Sequence, residues 1–207
     1  QLRTVFATVG LDGDLAGDLE AGPVDAVLGR DLDCAADDEI VGDSLADSLA
    51  VDDGLPNNPH TRFRIYQQLD CKIADGERFW SPDFTAGPAR YARWLRYKTP
   101  QRDAEGRFDR LALPPLIDTM PTALHRAIGP SPYRFYAPSL DLTTYVVDDT
   151  EREWVLVAAT VRRARMGWAI ADVEVWDDAG KFLAYGSQAM YVTSLSGEPP
   201  VIDASRR

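Results

Sequence analysis

The sequence has few of the residues that build covalent or metal-held scaffolds. It contains two cysteines, Cys34 and Cys71, and two histidines, His60 and His125, among 207 residues. Two cysteines without Cys-x-x-Cys spacing are too few for a disulfide framework. No cluster of His, Cys and carboxylate residues has the spacing of a metal site. We therefore expect two free thiols in a reducing compartment, no bound metal and no other cofactor.

Three further absences narrow the class of protein. No apolar run reaches 18 residues, which excludes a transmembrane helix, and no basic stretch leads into an apolar one as in a secretory signal. No basic stripe is present to bind nucleic acid. The Gly-x-Ser-x-Gly turn of serine hydrolases is also missing. These absences predict a cytoplasmic protein that binds neither membrane nor nucleic acid.

Aromatic and basic residues are almost missing from residues 11–56. This stretch holds fourteen acidic residues, one basic residue (Arg30) and no aromatic residue, so it carries a charge of −13 while the whole chain carries −11. High net charge without aromatic residues favours weak structure or disorder. We therefore expect residues 1–56 to be an acidic segment of uncertain structure that adds little to the fold.

One stretch has the periodicity of a helix. In LALPPLIDTMPTALHRAIG, residues 111–129, apolar side chains recur at helical spacing: Leu116, Met120, Ala123, Leu124 and Ile128. Asp118 or Thr119 can cap the helix, Pro121 suits its first turn and Gly129 suits its end. The pattern predicts one helix over about 115–128.

Strand-like runs lie on both sides of this helix. Two precede it, at 62–70 and 89–98, and four follow it without another helix, at 139–147, 153–165, 167–178 and 181–195. The sequence DDAG between the last two is a hairpin signal. A helix followed by long antiparallel strands predicts an α+β fold.

Two polar residues stand out in these strands. Asp141 lies in PSLDLTTYVV, where Asp141, Thr143 and Tyr145 point to one side and Leu142, Thr144 and Val146 to the other. Strands disfavour Asp, so Asp141 is either a surface carboxylate or a half-buried general base. Gln188 shares a face with Gly186 and Met190, where an unpaired amide is costly. Its partner is either a structural one or a catalytic water.

The C-terminal half resembles the second hotdog domain of the double-hotdog acyl-CoA thioesterases, the acyl-CoA thioesterase II type. The resemblance rests on FYAPSLDLTTYVV followed by EWVLVAATVRRARMGWAIADVEVWDDAGKFLAYGSQAMYV, and extends upstream through RYARWLRYK and LALPPLIDTMPTAL. It covers about residues 89–193. It implies a hotdog fold, in which a long antiparallel sheet wraps a central helix. Residues 101–207 would form the C-terminal hotdog, and residues 57–100 a remnant of a partial or degraded first one.

The resemblance also implies site residues. In the family an Asp, a Gln and a Ser or Thr hold one water against a thioester carbonyl, and the first two correspond to Asp141 and Gln188. The hydroxyl position aligns with Arg162, so Thr160, two residues earlier on the same face, is our expected substitute. Arg162 would bind the phosphates of CoA or pair with Asp141, and Gly186 would let a ligand approach the strand closely.

These observations predict an acyl-CoA thioesterase that releases free acid and CoA. No His follows Asp141 at the short spacing that a hotdog hydratase requires. The alternative is an inactive hotdog subunit that binds acyl-CoA or has a structural role, because the hydroxyl position and the first domain depart from the family pattern. Open sheet edges further predict a homo-oligomer.

Overall fold

The computed structural model describes residues 42–51, 54–55, 58–130, 135–165 and 167–194. Cys34 and residues 1–41 of the predicted acidic segment lie outside this part of the chain. The helices are α1 (Pro59–Arg62), α2 (Arg64–Gln67), a 3-10 helix (Arg110–Ala112), α3 (Leu113–Ile117) and α4 (Pro121–Ile128). The strands are β1 (Leu49–Ala50), β2 (Leu69–Asp75), β3 (Arg90–Tyr97), β4 (Phe135–Tyr136), β5 (Ser139–Val146), β6 (Val155–Arg165), β7 (Trp168–Asp177), β8 (Phe182–Tyr191) and β9 (Thr193–Ser194).

Seven of the strands form one antiparallel sheet in the order β1-β2-β3-β6-β7-β8-β5. β3 precedes α3 and α4 in the chain, β5 follows them, and the two strands are separated in the sheet by β6, β7 and β8. α4 packs against β3 and β6. This arrangement confirms the predicted α+β hotdog fold, in which a long antiparallel sheet wraps a central helix.

The inner face of the sheet, which we define as the face toward α3 and α4, is built from small and branched side chains. Alternate residues of the three central strands are buried there: Val155, Val157, Ala159 and Val161; Ala169, Ala171, Val173 and Val175; Ala184 and Met190. Leu116, Met120 and Leu124 of the helical segment fill the space above them, each with no exposed area. Burial of such side chains supplies about 1.5–3 kcal/mol each, so this contact is the main stabilising layer.

The predicted helix over about 115–128 is divided into α3 and α4. The break follows from Pro121, which has no N–H to donate to the Ile117 carbonyl four residues earlier. Pro121 instead takes the first position of α4, where a missing N–H leaves no bond unmade. Residues 118–120 become a turn, which we call the α3–α4 corner.

Part of the predicted acidic segment belongs to the fold. Leu49 and Ala50 pair with β2, and Val51 is buried in the core. The expectation that this segment adds little to the fold is therefore wrong for its last residues.

The predicted strand over 62–70 also needs correction. The alternation in 62–70 is not that of a strand, because Arg64–Gln67 form α2 and the Phe63 side chain is 58% exposed. The strand begins at Leu69 instead. The sheet continues across the predicted boundary near residue 100, since β3 pairs with β6 from Arg90–Thr160 to Leu95–Val155, and the division into domains stays a prediction. The derivation of residues 57–100 from a first hotdog stays a prediction.

The predicted hairpin between β7 and β8 forms around a buried carboxylate. Asp177 Oδ1 accepts the N–H groups of Ala179 and Lys181, both at 2.9 Å. Its Oδ2 accepts the Thr150 hydroxyl at 2.7 Å. Gly180 supplies the positive φ, +83°, that closes the turn. These bonds fix the register of the two strands that carry Glu174 and Gln188.

Candidate functional site

Gln188 is a buried amide on the inner face of β8. It lies opposite Leu142 of β5 on one side and Ala171 of β7 on the other, and its side chain is 1% exposed in an otherwise apolar neighbourhood. A buried amide that makes no hydrogen bond costs about 1–3 kcal/mol. Its partners therefore indicate its role.

The partners of Gln188 are a carboxylate and a hydroxyl. Its Nε2 donates to Asp118 Oδ1 in the α3–α4 corner and to Ser139 Oγ at 2.6 Å. The Ser139 hydroxyl in turn donates to Asp118 Oδ1, also at 2.6 Å. We call Asp118, Ser139 and Gln188 the inner cluster. It joins the end of α3, the start of β5 and the middle of the sheet at one point.

Local sequence explains how the three side chains meet. The helix break at Pro121 ends α3 just before Asp118 and turns that residue toward the sheet. A β-bulge between Ser139 and Asp141 places Ser139 beside Gln188. Gly186 lets α3 approach β8, since a methyl group built there would lie 2.7 Å from Ile117 Cγ2. The absence of a side chain at Gly186 therefore makes room for Ile117, whereas the sequence predicts that it makes room for a ligand.

The carbonyl oxygen of Gln188 has no hydrogen-bond partner among the described residues, although it is fully buried. The nitrogen and oxygen of one amide lie about 2.3 Å apart, so this oxygen is within about 5 Å of the Asp118 carboxylate. The Asp118 side chain is exposed. A buried acceptor beside an exposed carboxylate is an arrangement that can hold a water by both of its hydrogens.

Asp141 does not face Gln188. It pairs in register with Ala189, is exposed, and its Oδ1 accepts the Ala189 N–H at 2.8 Å. The residue next along β8, Gln188, points to the inner face, so Asp141 points to the opposite one, which we call the outer face. In this chain its carboxylate satisfies a backbone group at the bulge in β5.

Thr160 and Arg162 also lie on the outer face. In register Thr160 is level with Asp172 and, through it, with Ser187, the neighbour of Gln188. β6 and β5 are three strands apart, which separates Thr160 from Asp141 by about 14 Å at about 4.8 Å per strand. One shared water spans about 6 Å, so the expected substitution of Thr160 for the family hydroxyl is wrong for this arrangement.

Arg162 belongs to a cleft of about 280 Å³ on the outer face. The cleft lies over β3, β6 and β7, and charged side chains line it: Asp75, Arg90, Arg162, Asp172 and Glu174. Arg162 Nε donates to Asp172 Oδ2, not to Asp141, and its side chain is 61% exposed. Pairing of Arg162 with Asp141, one of the two expected roles, is therefore not formed. Thr160 and Arg162 do share a face, as their spacing predicts.

Asp118 and Ser139 are the two residues that sequence reasoning missed. The pattern marks Asp118 only as a helix cap, because a helix drawn through Pro121 hides the corner. A proline four residues after an apolar helix position is the signal that could have shown the break. Ser139 could not be found in this way, since its inward direction depends on the bulge in β5.

The histidine and cysteine nearest the core are packed groups. His125 stacks against the Phe79 ring with centroids 4.7 Å apart and lies 4.3 Å from the Phe135 ring. Burial lowers the pKa of His125 to about 4, so the ring is neutral at pH 7. Burial likewise raises the pKa of the Cys71 thiol to about 12, which makes it a poor nucleophile. The described residues contain no cluster of His, Cys, Asp or Glu suited to a metal ion.

A family model described as the acyl-CoA thioesterase C-terminal domain matches residues 45–192, which is more than half of the chain. The chain therefore belongs to this acyl-CoA thioesterase family. No curated protein matches the sequence. No helix of the described residues has the length and apolarity that crossing a membrane requires.

Solved structures share the hotdog fold at low sequence identity. A candidate thioesterase from Novosphingobium aromaticivorans matches with a TM-score of 0.56 and 24% identity over 74% of this chain and 53% of that one. A conserved protein from Pseudomonas aeruginosa matches with a TM-score of 0.52 and 16% identity over 67% of this chain and 100% of that one. A thioesterase family protein from Silicibacter pomeroyi matches with a TM-score of 0.52 and 12% identity over 65% of this chain and 92% of that one. The present chain thus spans about half the length of the Novosphingobium protein.

Proposed function

We propose that this protein hydrolyses an acyl-CoA thioester to a free acid and CoA, and that the inner cluster performs the reaction. Membership of an acyl-CoA thioesterase family supports the class of reaction. The observation that carries the site is the buried Gln188 amide, whose nitrogen is held by Asp118 and Ser139 while its oxygen has no partner among the described residues.

The chemistry follows from hydrogen-bond capacity. Gln188 Oε1 and the Asp118 carboxylate are both acceptors, so one water donating to both directs an oxygen lone pair away from them. That oxygen attacks the thioester carbonyl carbon while Asp118 takes a proton from the water. Collapse of the tetrahedral adduct breaks the C–S bond, and the proton passes to the leaving sulfur. Ser139 keeps Asp118 and Gln188 in their relative positions throughout.

Three parts of the proposal go further than the site itself. The donor for the developing oxyanion is expected at the α3–α4 corner, from a backbone N–H of Thr119 or Met120. A cytoplasmic location is expected as well. A homo-oligomer is expected because β5 ends the sheet and leaves one row of backbone groups open to a second copy. A stable monomer at micromolar concentration in sedimentation would contradict the oligomer.

The alternative function, an inactive subunit that binds acyl-CoA or has a structural role, is favoured by one specific observation. Asp141, Gln188 and Thr160, which should hold one water together, lie on two faces of the sheet. If catalysis required those three residues to meet in one chain, the protein would be inactive. The inner cluster provides a carboxylate, an amide and a hydroxyl without them, and this is why we prefer the enzyme.

Free-thiol release across a panel of acyl-CoA esters, from acetyl to long-chain, tests the proposal. Gln188→Leu removes the amide with little change of volume, and we expect kcat to fall by about 10²-fold or more. The matched control is Gln68→Leu, because Gln68 is exposed and lies after α2. It should leave kcat and KM within about twofold.

The results separate the two functions. If the unmodified protein releases thiol and the Gln188→Leu variant does not, the result supports hydrolysis at the inner cluster. No release on any ester, together with saturable binding of an acyl-CoA, supports the inactive subunit. Release that survives in Gln188→Leu shows that the reaction occurs elsewhere on the molecule.

A further inference from the structure

Arg93 is a charged side chain in the middle of the core. It lies on the inner face of β3, opposite Ile73 of β2 and Val157 of β6, and is 2% exposed. Removing a guanidinium from water costs several kcal/mol unless partners replace its hydration. Among the described residues no carboxylate forms an ion pair with it. Arg93 takes no part in the proposed reaction step, so its burial indicates another role.

Two tyrosine side chains, of which Tyr66 also makes a hydrogen bond, and one carbonyl surround the guanidinium. Its carbon lies 5.3 Å from the centre of the Tyr66 ring and 5.7 Å from that of Tyr91, distances at which a cation is attracted to the ring face. Its Nη2 donates to the Thr119 carbonyl oxygen at 3.3 Å. The rings fix where the cation sits, and the hydrogen bond connects it to the α3–α4 corner.

The Thr119 carbonyl belongs to the part of the chain that Pro121 keeps from being helical. It accepts the Thr122 hydroxyl at 2.9 Å as well as the Arg93 guanidinium. Asp118 is the preceding residue and carries the carboxylate of the inner cluster. The helix break thus leaves a carbonyl that Arg93 binds on one side and a carboxylate that Gln188 binds on the other.

We propose that Arg93 is a positioning residue: by binding the Thr119 carbonyl it fixes the α3–α4 corner, and so holds Asp118 in place against Gln188 and Ser139. The inference rests on the proposed function for its effect on rate, although the placement of Asp118 can be measured without any activity. Without the Arg93 bond the corner keeps its local Thr119 and Thr122 hydroxyl bonds but loses its link to β3, and an exposed Asp118 there would sample other directions. Misplacing a reacting group by about 1 Å can cost about 10²-fold in rate.

The test compares Arg93→Lys with Arg126→Gln. Lysine keeps the charge and loses the planar fork, so its ammonium cannot reproduce the guanidinium contacts. Arg126 is a matched control on α4: its Nη1 bonds Asp75 at 2.9 Å and the Arg90 carbonyl at 2.9 Å, away from the corner. Both variants remove arginine contacts, but only Arg93→Lys removes the guanidinium bond to the Thr119 carbonyl.

The first readout is independent of activity. Hydrogen exchange of the Gln188 side-chain amide, followed by NMR and assigned from its loss in Gln188→Leu, reports the bond to Asp118. We expect this exchange to be at least about tenfold faster in Arg93→Lys and within twofold of wild type in Arg126→Gln. Unchanged exchange in a folded Arg93→Lys overturns the proposal, whether or not the protein is a thioesterase.

The second readout is the split between kcat and KM at a temperature well below both melting points. A positioning role predicts a drop of about tenfold to 10²-fold in kcat for Arg93→Lys with KM within twofold, and no change in kcat for Arg126→Gln. A merely structural role predicts that both variants lose activity only as they unfold. Faster Gln188 exchange without any thiol release, in wild type or variant, would support the positioning of Asp118 and reject the proposed reaction.

A measurement on the unmodified protein covers the case in which Arg93→Lys does not fold. If Arg93 holds the corner, the Arg93 guanidinium and the Gln188 amide become accessible in one local opening. Their exchange rates should then rise together at low urea concentrations. Two rates with different urea dependence would overturn the proposal, since the corner would then move without Arg93.

Discussion

The two faces of the same sheet differ in what their polar residues do. On the inner face Gln188 meets Asp118 and Ser139 beneath the helices, with bonds that leave one amide oxygen open. On the outer face Asp141 caps a bulge and Arg162 pairs with Asp172. Residues one position apart in a strand thus have unrelated roles. A carboxylate and an amide that neighbour each other across two strands need not share a site.

Acid sensitivity should distinguish the inner side first. The pKa of His125 is about 4 in the folded chain against a usual 6.5, so below pH 6.5 the unfolded chain gains a proton that the folded chain does not. The free energy of unfolding therefore decreases as the pH falls from about 6.5 to 4. The decrease between pH 7 and pH 5 is about 2 kcal/mol, at about 1.36 kcal/mol per pKa unit. His125→Phe, which keeps the ring stacking, should lose this difference in urea unfolding.

The control for this experiment is Ser187→Thr on the outer face, which leaves every titratable group in place and should retain the wild-type difference between pH 7 and pH 5. A His125→Phe variant that loses as much stability as wild type on acidification would show that other groups, not the buried imidazole, set the pH dependence.

Added volume should be tolerated on one face only. Gly186→Ala places a methyl group 2.7 Å from Ile117 Cγ2 and 2.9 Å from Val173 Cγ1, and overpacking of this kind costs about 1–3 kcal/mol. The matched variant Ser187→Thr adds a methyl group one residue along on the outer face, and should change the free energy of unfolding by less than about 0.5 kcal/mol. Equal values in chemical denaturation would mean that α3 does not press on β8.

Two hydroxyls sharpen the comparison at the level of rate. Ser139→Ala removes the hydroxyl that bonds both Asp118 and Gln188, and we expect kcat to fall by about tenfold, equivalent to about 1.4 kcal/mol. Thr160→Val removes a half-buried hydroxyl from the outer face and should leave kcat within twofold. The opposite ranking in a thiol-release assay would restore Thr160 as the family hydroxyl and displace the inner cluster.

The smallest effect is expected at Arg162. Its guanidinium is exposed, pairs with Asp172 and lies on the face opposite Gln188, so Arg162→Ser should leave kcat and KM within twofold. A raised KM at unchanged kcat would show instead that Arg162 binds the phosphates of CoA.

Much of this architecture follows from the sequence, and the remainder depends on two local events. Each of the four long strands after the helices begins and ends within four residues of its predicted bounds, because alternation and the Asp177–Gly180 turn mark them clearly. The faces of Asp141 and Leu142 are also as predicted. The bulge that turns Ser139 inward leaves no trace in composition, because a bulge depends on how two strands pair.

Pro121 signals the helix break in the sequence, but the apolar periodicity on both sides of it indicates a continuous helix. Apolar residues continue at helical spacing from Leu116 to Ile128, and this periodicity suggests one helix although Pro121 interrupts its hydrogen bonds. Asp118 therefore looks like a cap when it is a corner residue. Gln188 was found because an amide on an apolar face requires a partner, whichever residue supplies it.

The central claim is that Asp118, not Asp141, is the carboxylate of the site. Initial rates of thiol release for Asp118→Asn and Asp141→Asn, measured on the best acyl-CoA with both variants shown to be folded, test it most directly. We predict a loss of about 10²-fold or more for Asp118→Asn and a rate within about threefold of wild type for Asp141→Asn. A near-normal Asp118→Asn beside an inactive Asp141→Asn would contradict the account and assign the reaction to the outer face.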